Sequence, residues 1–151
     1  MCGVPPSRKL RGMPPAVTPI VVIVVVSAQQ SGGAYALLDV RAAGDTALDP
    51  HVVRQEDLLL YVLTGDLVVV LDGRRYALAA GDLLALPRRV PRAVCFSAGT
   101  RALVLVRPGG VERLASLAAD PAVTADDRLA LLAAADVQML PRSLWRTEAA
   151  A

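Results

Sequence analysis

The chain carries a single histidine, His51, inside the segment Pro50-His51-Val52-Val53-Arg54-Gln55-Glu56-Asp57-Leu58. An imidazole gains and loses a proton close to neutral pH, so it suits the role of general acid or base. The second group of interest is Arg92, which closes Arg88-Arg89-Val90-Pro91-Arg92. Its guanidinium stays cationic and can hold a carboxylate, phenolate or enolate through charge-assisted hydrogen bonds, or stabilise negative charge developing on a carbonyl oxygen. Glu56 and Asp57 are adjacent, so on a strand at most one faces inward, and either can pair with a surface arginine. Zinc chemistry is disfavoured, because one histidine and two distant cysteines, Cys2 and Cys95, do not make a ligand set. No disulfide between those cysteines is expected, and a reduced, cytoplasmic setting follows.

These groups need elements to position them, and the composition points to strands. The chain has 151 residues, suited to one domain, and is 54% hydrophobic but only 3% aromatic, so its core must be built from Val, Leu and Ala. Lys and Arg number 16 against 14 Asp and Glu, a balance that argues against nucleic acid as a partner. The apolar run Ile20 to Val26 follows Lys9 and Arg11 and precedes Ser27-Ala28. It reads either as a secretory leader or as a buried strand; it is too short to span a bilayer, and its Val and Ile content favours the strand. Met13 is an alternative start.

Residues 1–18 are rich in Pro and basic side chains and read as an arm. Strands are expected over Ile20–Ser27 and Ala34–Val40, then around His51 after a connection over 41–50. Asp72-Gly73 between Asp66–Leu71 and Arg74–Leu78 marks a two-residue type I′ hairpin. Leu83–Leu86, Arg92–Phe96 and Ala102–Arg107 complete a closely spaced series, with Pro87 to Pro91 as a loop, which indicates an antiparallel sandwich or barrel. Beyond Pro108-Gly109-Gly110 the period becomes helical over Val111–Ala119 and Ala125–Ala135. Thr124 opens the second helix, and Leu129, Leu132 and Ala133 form its apolar face. Residues 142–151 form a tail, in which Trp145 is a rare aromatic.

Several pieces then resemble a known family. Gly32-Gly33-Ala34-Tyr35, Pro50-His51-Val52, Tyr61-Val62-Leu63-Thr64-Gly65, Gly81-Asp82, Pro87, Val90-Pro91 and Val106-Arg107-Pro108-Gly109-Gly110 resemble a single-domain cupin of the quercetin-dioxygenase-like group. The resemblance implies a mainly β fold, a cupin-type antiparallel β-barrel (jelly roll) with C-terminal helices, over residues 19–141. It also implies a cage of three histidines and one glutamate around a metal. Here those positions hold His51, Val53, Leu58 and Arg92. Valine and leucine cannot coordinate, and a fixed guanidinium repels a divalent cation. No metal and no cofactor are expected.

By the same resemblance His51 and Arg92 are the candidate catalytic pair, and Val53, Leu58, Leu60, Val62 and Phe96 the candidate substrate-binding walls. An apolar pocket with a few orienting polar groups suits a small natural-product-like molecule. The favoured function is a metal-independent cyclisation, isomerisation or dehydration; the alternatives are a non-catalytic ligand-binding cupin and a metal-dependent dioxygenase with atypical ligands. The expected partner is a small molecule, with no nucleic acid and no membrane. A homodimer is expected, because an exposed Val-rich first strand needs cover.

Overall fold

Alternation of apolar and polar character sets the strands, and strand pairing then decides which face of each becomes interior. The structure, a computed structural model, describes residues 20–110 and 122–141. The strands are β1 (Ile20–Val26), β2 (Ala36–Ala42), β3 (Thr46–Val53), β4 (Asp57–Thr64), β5 (Asp66–Leu71), β6 (Arg74–Ala79), β7 (Leu83–Leu86), β8 (Arg92–Phe96) and β9 (Arg101–Arg107). They are followed by helix α1 (Ala125–Ala134) and strand β10 (Val137–Met139). Two antiparallel sheets form, in the orders β1-β2-β9-β4-β7 and β10-β3-β8-β5-β6.

The core lies between the sheets. Leu38 and Val40 of β2, Leu60 and Val62 of β4, and Val104 and Val106 of β9 meet Leu67 and Val69 of β5 and Val94 and Phe96 of β8. These residues follow the period of two that a half-buried strand requires. The run over residues 20–26 is a strand: Ile20, Val22 and Val24 pack against this core, while Val21, Ile23 and Val25 point outward and stay exposed. Among the described residues no helix is long and apolar enough to cross a membrane.

The expected hairpin is present, with Asp72 at φ 49° and Gly73 at φ 77° between β5 and β6. At the opposite end of β5, Gly65 adopts φ 78°, and a Cβ there would lie 2.7 Å from both the Cα and the Oγ1 of Thr100. That closeness lets the Thr100 hydroxyl donate to Asp66 O at 2.7 Å and accept from Asp66 N at 3.2 Å, tying the β4–β5 turn to the start of β9.

Two elements differ from the sequence reading. Residues 41–50 were expected as a connection, yet β3 already begins at Thr46. The turn-forming pair Asp49-Pro50 sits where the β3–β8 register shifts between Leu48 and His51, a place in a sheet that tolerates proline. Strand β10 has no forecast at all. It pairs with β3, matching Val137 to Val53 and Met139 to His51, and so covers what would be an open edge. Helix α1 matches its expectation to within a residue, capped by Thr124, whose side chain accepts from Asp127 N at 3.1 Å while Thr124 N donates back to the Asp127 carboxylate at 3.3 Å. Ala133 of its expected apolar face is exposed. The arm over 1–18, the helix over Val111–Ala119, the Leu129 side chain, Cys2 and the tail lie outside the described residues; Cys95 is disulfide-bonded, against the expectation of no disulfide.

On the outer face of the first sheet, Asp39 is buried beneath Arg41 and Arg101, whose Nη2 atoms each lie 2.9 Å from its Oδ2. The Arg101 bond first, then Arg41, lowers the Asp39 pKa from 3.8 to about 2. A depressed carboxylate stabilises the fold above its unfolded value, so this contribution is present above pH 3.8 and lost as pH falls through about 2. The two arginines are half exposed, and solvent screening holds the cluster's worth to about 1 kcal/mol. Asp39→Asn should therefore lower stability by about that amount at neutral pH and leave it unchanged under strongly acidic conditions, as read by denaturant unfolding. Gly65→Ala should cost about 3 kcal/mol by the same measurement, because it combines a positive φ with a backbone clash.

Candidate functional site

Strands β3 and β8 run antiparallel and set His51 directly opposite Arg92, so their side chains share one face. Arg92 also alternates in phase with Val94 and Phe96, which fill the space between the sheets, so that shared face is the interior. On its other side β8 pairs with β5, placing Leu71 opposite Arg92. The expected pair therefore meets inside one end of the barrel.

Arg92 is 2% exposed, the largest of the fully buried side chains. Its Nε donates to Val90 O at 3.4 Å and its Nη2 to Pro87 O at 2.5 Å, so the loop before β8 folds its carbonyls back onto the guanidinium. Its Nη1 is buried and has no hydrogen-bond partner among the described residues. Burial lowers the Arg92 pKa to about 10, against the pull of the Asp57 charge, and leaves the group cationic at neutral pH. A donor held this way is poised for an acceptor that the described residues do not supply.

His51 is half-buried, and its Nδ1 lies 2.7 Å from Asp49 O. A carbonyl only accepts, so Nδ1 carries the proton and Nε2 of the neutral ring keeps its lone pair. Burial pushes the imidazole pKa below its ordinary 6.5; the Asp49 carbonyl acts in the opposite sense, and the Arg92 charge adds to the downward push. The ring is thus held neutral, as an acceptor. The two adjacent carboxylates separate as alternation requires. Glu56 is buried at 7% exposure, and Asp57 turns outward, accepting from Arg88 N at 2.8 Å and from Arg88 Nη2 at 3.0 Å. Those bonds hold the Asp57 carboxyl below the usual range.

The walls divide. Val53 is buried two residues beyond His51, and Leu58, half-buried, packs against the core opposite Leu86 at the same end of the barrel. Leu60 lies two residues deeper on β4. Val62 and Phe96 belong to the far end of the core, each four residues along its strand from Leu58 or Arg92, about 13 Å at the usual rise. Sequence reasoning missed Leu71, Leu86, the Asp49 carbonyl that orients the imidazole, and the Pro87 and Val90 carbonyls on Arg92. Leu71 carried a faint signal as the last strand residue before Asp72-Gly73; backbone carbonyls leave none.

Residues 39–107 match the family of cupin domains. Solved structures with the same architecture include KdgF from Halomonas sp., 19% identical over 63% of this chain and 84% of that one, with a TM-score of 0.57. Pac13 from Streptomyces, described as a unique nucleoside dehydratase, is 17% identical over 63% and 74%, with a TM-score of 0.53. Ectoine synthase from P. lautus is 15% identical over 61% and 66%, with a TM-score of 0.52. The fold is a cupin jelly roll. At such identities the likeness is one of architecture, and no curated protein matches the chain. The cage of three histidines and one glutamate that the sequence resemblance implies does not fit the side chains at those positions: Val53 and Leu58 offer no donor atom, and Arg92 is a buried cation. Among the described residues no cluster of three His, Cys, Asp or Glu forms.

Because the folded imidazole titrates below 6.5, the fold favours its neutral form, and stability falls as pH drops below that unfolded value. NMR titration of the single histidine should place its pKa under 6.5, and Arg92→Met should move it upward, since one of the two downward influences is gone. A pKa unmoved by that substitution would show that the two groups do not sense each other.

Proposed function

We propose that this cupin is a metal-independent enzyme acting on a small natural-product-like molecule in its barrel pocket, by isomerisation, cyclisation or dehydration. The observation that carries the reading is the partnerless Nη1 of buried Arg92, on the residue that stands opposite His51 in the β3–β8 pairing. A buried charge with an unmet hydrogen bond destabilises a fold, so its presence at the end of a mainly apolar core is the ground for assigning it work on a ligand.

In that work, Arg92 holds the substrate oxygen on which negative charge develops, in a water-poor setting where the interaction is strong. The Nε2 of His51 takes a proton from the carbon next to the substrate carbonyl, and the electron pair left behind forms the enolate that Arg92 stabilises. The imidazolium then returns the proton, to a neighbouring carbon in an isomerisation or to a departing hydroxyl, which leaves as water, in a dehydration. Val53, Leu58 and Leu60 orient the molecule and exclude bulk water. Sharing this fold with a protein described as a nucleoside dehydratase supports an enzymatic reading.

Two measurements test it. Protein exposed to a chelator should hold less than about a tenth of an equivalent of transition metal and keep its activity, since the donor set is one imidazole. Incubated with a small-molecule extract, it should convert a component to an isomer or to a product lighter by one water, and His51→Ala and Arg92→Ala should each slow this about a hundredfold. Near one equivalent of metal, or saturable binding of a component with no chemical change, would overturn the proposal in favour of a metal enzyme or a binding protein.

A further inference from the structure

The two sheets differ in what becomes of their outer faces. On the second, Val68, Val70, Ala93 and Cys95 point away from the core between the sheets and are nevertheless buried. On the first, the outward residues are as apolar but reach solvent. Register lines them up in rows across all five strands: Ile23, Asp39, Leu103, Tyr61 and Leu83 form one row. Leu37, Leu105, Leu59 and Ala85 form the next. Ile23 is 43% exposed, Tyr61 39% and Leu83 59%, so the apolar face stays open from one edge of the sheet to the other. We infer that this face is the interface of a two-fold dimer, packed against the same face of a second copy of the chain.

Size argues for this occupant. Five strands about 4.8 Å apart, with outward residues spanning about 20 Å along them, make a face of roughly 24 by 20 Å. Side-chain relief brings its accessible area towards the about 800 Å² per partner that a stable pair uses. A single docked helix, about 10 Å wide, leaves about half of it in water. A second sheet of equal width covers it whole at the usual face-to-face spacing, and an isologous pair needs nothing beyond the surface each copy already carries. The charges lie where such an interface tolerates them. Asp39 is turned beneath Arg41 and Arg101 at one end of the rows, and Asp57 is taken up by Arg88 at the other, so an apolar band runs between two ion-paired ends. The rival geometry, pairing of the β1 edge with a second β1, covers the edge and leaves this band exposed.

Sedimentation equilibrium of the full chain at about 100 μM should give twice the chain mass. Ile23→Lys and Leu83→Lys, at opposite edges of the face, should each weaken the association at least about tenfold. Met139→Lys, similarly exposed but on the second sheet, should leave it unchanged. In the unaltered protein, NMR of mixed isotope-labelled and unlabelled copies should show methyl contacts between protomers at Leu103 and Leu105, because β9 is the middle strand and lies nearest the two-fold axis. Leu83 stands four strands from β1, about 19 Å, so a dimer that survives Leu83→Lys is one paired at the β1 edge and would overturn the inference. A monomer at that concentration, or a dimer without the Leu103 and Leu105 contacts, would overturn it equally. Should a lysine variant fail to fold, the methyl contacts decide alone.

Discussion

A guanidinium enclosed in an aliphatic barrel has to be solvated by whatever the chain brings to it, and much of this end of the molecule is arranged around Arg92. Water cannot satisfy it from bulk, since the side chain is 2% exposed. The loop before β8 therefore turns the Pro87 and Val90 carbonyls onto two of its nitrogens. That leaves a fraction of its hydrogen-bonding capacity unused, which a purely structural arginine would be expected to satisfy or to surrender to a hydrophobe of similar shape.

The same end is held by strand pairing on every side. Strand β3, which carries His51, is flanked by β8 and by β10, so the imidazole is mounted on an interior strand rather than on a fraying edge. The register shift between Leu48 and His51 absorbs Pro50 and re-aims the last residues of β3. Asp49, inside that shift, supplies the carbonyl that holds the ring, so one irregularity both admits the proline and orients the acceptor. At the opposite end Gly65 and Thr100 lock the turn into β5, and β5 in turn flanks β8.

The electrostatics follow from the same enclosure. Removal from water lowers the pKa of both His51 and Arg92, and their proximity adds to the effect on the imidazole. One group then remains a cation and the other a neutral acceptor, a division of labour that two like-charged groups in water would not keep. Asp57 does not undo it, because alternation sends that carboxylate to the surface, where Arg88 takes it up.

Much of this was legible in the residues. Closely spaced apolar runs bounded by turn residues identified β5, β8 and β9, and Asp72-Gly73 located the hairpin, because strand and turn chemistry is a local property that short segments carry; the grouping of His51 and Arg92 with Val53 and Leu58 came from the family resemblance. Pairing is not local, and there the sequence was silent or misleading. The turn-forming Asp49-Pro50 hid a strand that only its partners β8 and β10 stabilise, and β10 is three residues long, too short to declare itself. Val62 and Phe96 have the same apolar character as Val53 and Leu58, yet register places them at the far end of the core. By itself the sequence determined where its one imidazole and its arginines stand along the chain. Only the tertiary structure decided that one guanidinium nitrogen is buried without a partner among the described residues and that the imidazole across the strand pair is held by a backbone carbonyl, since hydrogen bonds to the main chain depend on where the chain is and leave no mark on its residue types.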